Sequence, residues 1–66
     1  MGWLHHHIYE NHETVPIVTH TFPGDTPGDA LKILYVHARY DEFLSAAVTT
    51  GLFRGMKLRT TTEWES

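Results

Sequence analysis

An α+β two-layer sandwich of order β-β-α-α-β is predicted by three observations. These are two alternating segments near the N-terminus, a capped amphipathic stretch followed by a second short helix, and a last alternating segment rich in threonine. Trp3 to Glu10 alternates with Trp3, His5, His7 and Tyr9 on one side and Leu4, His6 and Ile8 on the other. On pattern alone either side can be the buried one. Asn11, His12 and Glu13 make a turn into a second strand, roughly Thr14 to Phe22, and Pro16, which has no amide proton, makes that an edge strand or one with that position pointing outward.

Pro23, Gly24 and Asp25 end the strand, and Thr26, Pro27 and Asp29 read as a helix start: a hydroxyl N-cap, proline at the first helical position and an acid in the first turn. From Pro27 to Tyr40 the helical wheel gathers Ala30, Leu31, Ile33, Leu34, His37 and Ala38 on one arc, with Lys32 and Arg39 opposite. Asp41 breaks this helix and caps a second, in which Phe43, Leu44, Ala47 and Val48 recur at helical spacing through Thr50 before Gly51 closes it. Leu52 or Phe53 can supply the apolar contact after that cap. Gly55 to Trp64 then alternates Met56, Leu58, Thr60, Thr62 and Trp64 against Lys57, Arg59, Thr61 and Glu63. With the two helices acting as one crossover, the third strand pairs antiparallel to the first. The result is a three-stranded, mainly antiparallel sheet of order 2-1-3 with both helices on one face, residues 1–66 forming a single small domain.

Composition narrows the function classes. A chain of 66 residues buries only about 60% of the surface its unfolded form exposes, so it supports one thin core and no deep cofactor pocket, and no cofactor is assigned. It has no cysteine, which removes disulfides and thiolate zinc sites and fits the cytoplasm. No run of about 18 apolar residues and no signal-peptide pattern occurs, so a soluble cytoplasmic protein with no membrane partner is expected. A formal net charge of −3 argues against general duplex-DNA binding. Of the six histidines, several would protonate together as pH falls toward ~5.5 and reverse that sign.

The constellations that could carry chemistry are few. His5 and His7 are two apart in a strand, so their rings project from one face about 6 to 7 Å apart, and His20 on the paired strand is a candidate third metal ligand. Neighbouring histidines on an exposed sheet face bind nothing specific in the ordinary case, and no metal site is assigned. His37 with Asp41 four residues later could orient an imidazole for acid/base work, but no nucleophile accompanies the pair. Ser45 and Ser66 lie in no nucleophile elbow, and Gly24, Gly28 and Gly51 form no phosphate loop. No catalytic residue is assigned and an enzyme is not expected.

The sheet face away from the helices is the better candidate. If Leu4, Ile8, Met56 and Leu58 face the helices, then Trp3, His5, His7, Tyr9, Lys57 and Arg59 share the opposite side as a binding surface. Aromatic and arginine side chains dominate binding hot spots. The same set could stack single-stranded nucleic-acid bases, and a symmetric homodimer covering this face is a further alternative.

The run Thr21-Phe22-x-Gly24-x-Thr26 with Ala30, then His37 with Asp41 and Phe43, then Phe53-x-Gly55 and Arg59, resembles a group of small, uncharacterised phage-associated open reading frames. A hairpin containing Val15-Pro16-Ile17, a helix containing Asp29-Ala30-Leu31 and a last strand with alternating basic residues is also similar in layout to the small inhibitor of bacterial RNA polymerase made by T7-like phages. The second helix, Asp41 to Thr50, departs from that layout. By position, this resemblance implies that Lys57 and Arg59 contact a polymerase. The resemblances imply a phage- or mobile-element-encoded, uncharacterised protein of the host cytoplasm that acts by host interaction. The expected function is therefore a small non-enzymatic binding protein that binds a host macromolecule, with inhibition of that macromolecule as one outcome. Its expected partner is a host protein, with a homo-oligomer or single-stranded nucleic acid as alternatives.

Overall fold

The computed structural model describes residues 1–49 and 51–66 and orders them β1 (Gly2–Glu10), β2 (Val18–Gly24), α1 (Pro27–Ala38), α2 (Glu42–Thr49), β3 (Leu52–Phe53) and β4 (Met56–Glu65). The class is α+β, as the sequence predicts. The sheet has four strands in the order β2-β1-β4-β3, not three in the order 2-1-3, and every neighbouring pair is antiparallel. The expected antiparallel pairing of the last long strand with the first is present.

The additional strand has a local cause. Leu52 and Phe53 fold back on Lys57 and Met56 through the two-residue turn Arg54-Gly55, whose φ angles of 49° and 83° are both positive. That is the turn geometry whose twist matches antiparallel strands. Phe53 also meets Phe43 of α2 edge to face at 4.9 Å, which fastens the hairpin to the helix layer.

Two strand boundaries also differ from expectation. β2 begins at Val18 rather than Thr14, because Pro16 cannot donate and the chain between the strands turns at His12 (φ 75°) before the Ile17 amide reaches the Ile8 carbonyl at 2.7 Å. At its other end β2 continues through Pro23 and Gly24, paired with Trp3 and Gly2, as an edge strand tolerates.

The helix caps form as the sequence requires. Thr26 Oγ1 accepts from the Asp29 amide at 3.2 Å with Pro27 following, and Asp41 Oδ1 accepts from the Leu44 amide at 2.8 Å. α1 lies over β2 and β1, and α2 over β4 and β3. The core between the layers is Leu4, Ile8, Phe22, Ala30, Leu34, Leu44 and Ala47, with Leu31, Ile33, Phe43, Val48, Leu58 and Trp64 half-buried around it. His37 is exposed rather than central to the apolar arc, since the buried stripe of α1 runs through Ala30 and Leu34 and leaves His37 at its edge, 5.5 Å from the Phe22 ring. Thr50, the expected last helical position, lies outside the described residues. Among the described residues no helix is long and apolar enough to cross a membrane.

Gly51 joins the helix layer to the sheet. Its φ is 73°, its amide bonds the Ala46 carbonyl at 2.7 Å, and its carbonyl accepts from the Leu58 amide. A Cβ there would collide with the Leu58 carbonyl. Gly28, in the first turn of α1, has open space, with nothing nearer than 3.8 Å to an added Cβ. Gly51→Ala should therefore cost about 2 kcal/mol or more and lower the thermal midpoint by on the order of 10 °C. Gly28→Ala should stabilise by about 0.5 to 1 kcal/mol. Equal melts for the two variants would contradict the backbone assignment at Gly51.

Among the described residues, His6 is the one buried polar side chain, 4% exposed between Leu4 and Ile8. It lies opposite His20 on β2 and Thr62 on β4, and the Nδ1 atoms of His6 and His20 have no hydrogen-bond partner. Burial, and then the neighbouring His20 and His7, push its pKa below the ordinary value of 6.5. The unfolded chain thus binds more protons, so stability is full above the ordinary value and declines as pH falls through it toward the lowered one. Urea midpoints should drop between about pH 7 and pH 5, and His6→Leu should flatten that slope. An unchanged slope would assign the titration to another group.

Candidate functional site

The two-residue period that turns Leu4, His6 and Ile8 toward the helices turns Trp3, His5, His7 and Tyr9 away from them. Register with β1 then fixes the rest of the outer face. Thr19, Thr21 and Pro23 lie beside His7, His5 and Trp3 on β2, and Arg59, Thr61, Glu63 and Glu65 lie beside Tyr9, His7, His5 and Trp3 on β4. Lys57 continues the β4 row past the end of β1. All six residues expected to form the surface, Trp3, His5, His7, Tyr9, Lys57 and Arg59, are therefore on one uncovered face.

Their side chains are already ordered by one another. The His5 and His7 rings are parallel within 8° at 6.3 Å, the separation expected from the strand rise. His7 bridges both neighbours, with Nδ1 2.8 Å from Thr19 Oγ1 and Nε2 2.9 Å from Glu63 Oε1. His5 Nε2 is 3.4 Å from Glu65 Oε1. The Arg59 guanidinium stacks over the Tyr9 ring at 4.2 Å and donates to the Glu13 carbonyl, while the Tyr9 hydroxyl lies 3.3 Å from Thr61 Oγ1. Trp3 remains 47% exposed at the end of the row.

The expected surface leaves out two acids, although the alternation of the last segment already sets Glu63 on the side of Lys57 and Arg59. Glu63 and Glu65 share the face with the basic pair, giving one strand the outward order Lys57, Arg59, Thr61, Glu63, Glu65. The signal was the same alternation that places Arg59 there, continued four and six residues further.

Other candidate chemistry is separated by the fold. His20 is opposite His6 on the helix side of the sheet, so it cannot join His5 and His7 as a third ligand. Among the described residues no group of three or more histidine, cysteine or acidic side chains could hold a metal ion. His37 and Asp41 do not pair: the histidine ring lies tilted against the Phe22 ring at 5.5 Å and the aspartate caps α2. Arg39, Tyr40, Asp41, Glu42 and Ser45 line an open cleft of about 510 Å³ where α1 meets α2, and no histidine borders it. Compared with family models, curated proteins and solved structures, the chain matches none of them.

Proposed function

We propose that this chain is a small non-enzymatic binding protein whose working surface is the outer face of the sheet, and that its partner is a protein. The observation that carries this reading is the continuous row Trp3, His5, His7 and Tyr9 with Arg59 stacked on it, left uncovered by either helix. Aromatic and arginine side chains supply most of the energy in protein interfaces. Because Arg59 and His7 are already held by their neighbours, little side-chain freedom remains to be lost when a partner arrives.

A single-stranded nucleic acid would use the same aromatic row, but the carboxylates of Glu63 and Glu65 lie alongside His7 and His5 and repel phosphate. This favours a protein. The resemblance to phage-associated reading frames supports a host protein in the host cytoplasm as the class of target, with inhibition as the outcome of covering its surface.

Truncation at the two ends of the row tests the reading. Trp3→Ala and Arg59→Ala should each weaken capture of the partner about 30-fold, as hot-spot losses of about 2 kcal/mol do. Both positions are exposed, so the circular-dichroism melt of the double variant should stay within a few degrees of the parent. Affinity capture from bacterial lysate, with nuclease and at two salt concentrations, provides the readout. Undiminished capture by the double variant, or retention of nucleic acid alone that is lost with salt, would overturn the proposal.

A further inference from the structure

We infer that the outer face is complementary to itself and that its occupant is a second copy of this chain. The inference rests on the reading of this face as the working surface and names what it binds. The basis is the charge order on β4. Outward-facing positions run basic at Lys57 and Arg59, neutral at Thr61 and acidic at Glu63 and Glu65, a sequence that becomes its own complement when reversed. β1 is symmetric in the same sense, with an aromatic residue at each end, Trp3 and Tyr9, and His5 and His7 between them. The β2 row of Thr19, Thr21 and Pro23 is small and uncharged.

A two-fold axis parallel to the sheet and perpendicular to its strands stacks each strand on its own antiparallel copy. Lys57 and Arg59 then face Glu65 and Glu63 of the second copy, and the symmetry repeats both pairs. Trp3 covers Tyr9 of the second copy, and the histidines meet at the centre. Register places the β4 centre, Thr61, beside His7, one residue from the β1 centre at His6. A two-fold axis doubles any distance from a row's centre, so an axis midway between the two centres leaves the pairs of each row about 3.3 Å out of line, which lysine, arginine and glutamate side chains span. Face-to-face sheets pack about 10 Å apart.

The dimensions agree with such a pairing. The molecule is a slab of 36 × 25 × 13 Å with the sheet as one broad side. A side of that footprint can accommodate a standard interface of about 800 Å² per partner. A domain this small also has the most to gain from covering the second face of its sheet. A host target that uses the same residues competes with the second copy for them.

Charge exchange tests the arrangement. One variant carries Lys57→Glu with Arg59→Glu, the other Glu63→Lys with Glu65→Lys; all four positions are exposed. In sedimentation equilibrium the parent should dimerise, and each variant alone should dissociate at least 30-fold more readily, since like charges then oppose each other at both ends. An equimolar mixture should form a heterodimer at least as tight as the parent, which also shows that both variants are folded. A parent that stays monomeric at every concentration, a dimer indifferent to the reversals, or a mixture that remains monomeric would each overturn the inference. Capture of a host protein that depends on Trp3 and Arg59, with the parent monomeric, would remove the second copy while leaving the binding face in place. Loss of both results would remove the face itself.

Discussion

β1 is hydrogen-bonded along both edges, to β2 from Gly2 to Ile8 and to β4 from Trp3 to Glu10, so its facing determines the facing of everything beside it. Turning Leu4 and Ile8 inward removes two aliphatic side chains from water, each worth roughly 1.5 to 3 kcal/mol. The opposite facing would expose them and bury Trp3, His5, His7 and Tyr9 beneath two helices whose facing residues, Ala30, Leu34, Leu44 and Ala47, offer no polar partner. A slip of one residue would therefore exchange the whole core for the whole outer face. The aromatic row outside is a consequence of the aliphatic row inside. It is retained because β1 is the strand that cannot move.

The histidine triplet shows how far that constraint reaches. Three identical side chains in succession occupy three environments: His5 beside Glu65, His6 buried, and His7 bridged by Thr19 and Glu63. His6 is turned inward because its neighbours must be turned outward, and its unpartnered Nδ1 costs about 1 to 3 kcal/mol. In a domain with a net stability of only a few kcal/mol that is a large fraction, and the remaining margin becomes sensitive to proton concentration. The histidine with the strongest effect on the fold is thus the one least accessible to a partner.

The parts of this structure legible in the sequence are those set by short-range rules. The Thr26 and Asp41 caps, the two faces of β1 and the gathering of Trp3, His5, His7, Tyr9, Lys57 and Arg59 on one side all follow from local hydrogen bonding and a period of two. What was not legible depends on register across a turn. The segment from Asn11 to Ile17 sets the pairing of His20 with His6, and an offset of one residue there would have put His20 beside His5 and His7 instead. The β3 hairpin was hidden for a related reason: its turn places Arg54 at positive φ, where asparagine, aspartate or glycine is the usual sign. Only Gly55 marked it, and a single glycine before an alternating run also reads as an ordinary strand start.

Charge on the outer face is arranged by the same strand geometry, and that arrangement separates a merely sticky surface from a selective one. If the basic and acidic residues were mixed along β4, each would be neutralised by its neighbour and the face would present little pattern to a partner. Segregation into halves, with Thr61 between, leaves opposite potentials at the two ends of one strand. Inside the chain each half is only partly satisfied. Arg59 is occupied by the Tyr9 ring and the Glu13 carbonyl, and Glu63 and Glu65 by one imidazole each, while both carboxylate side chains remain 71% exposed. The side chains are thus ordered without being used up. A partner whose charges run in the reverse direction meets a fixed template, and one whose charges run in the same direction is repelled at both ends.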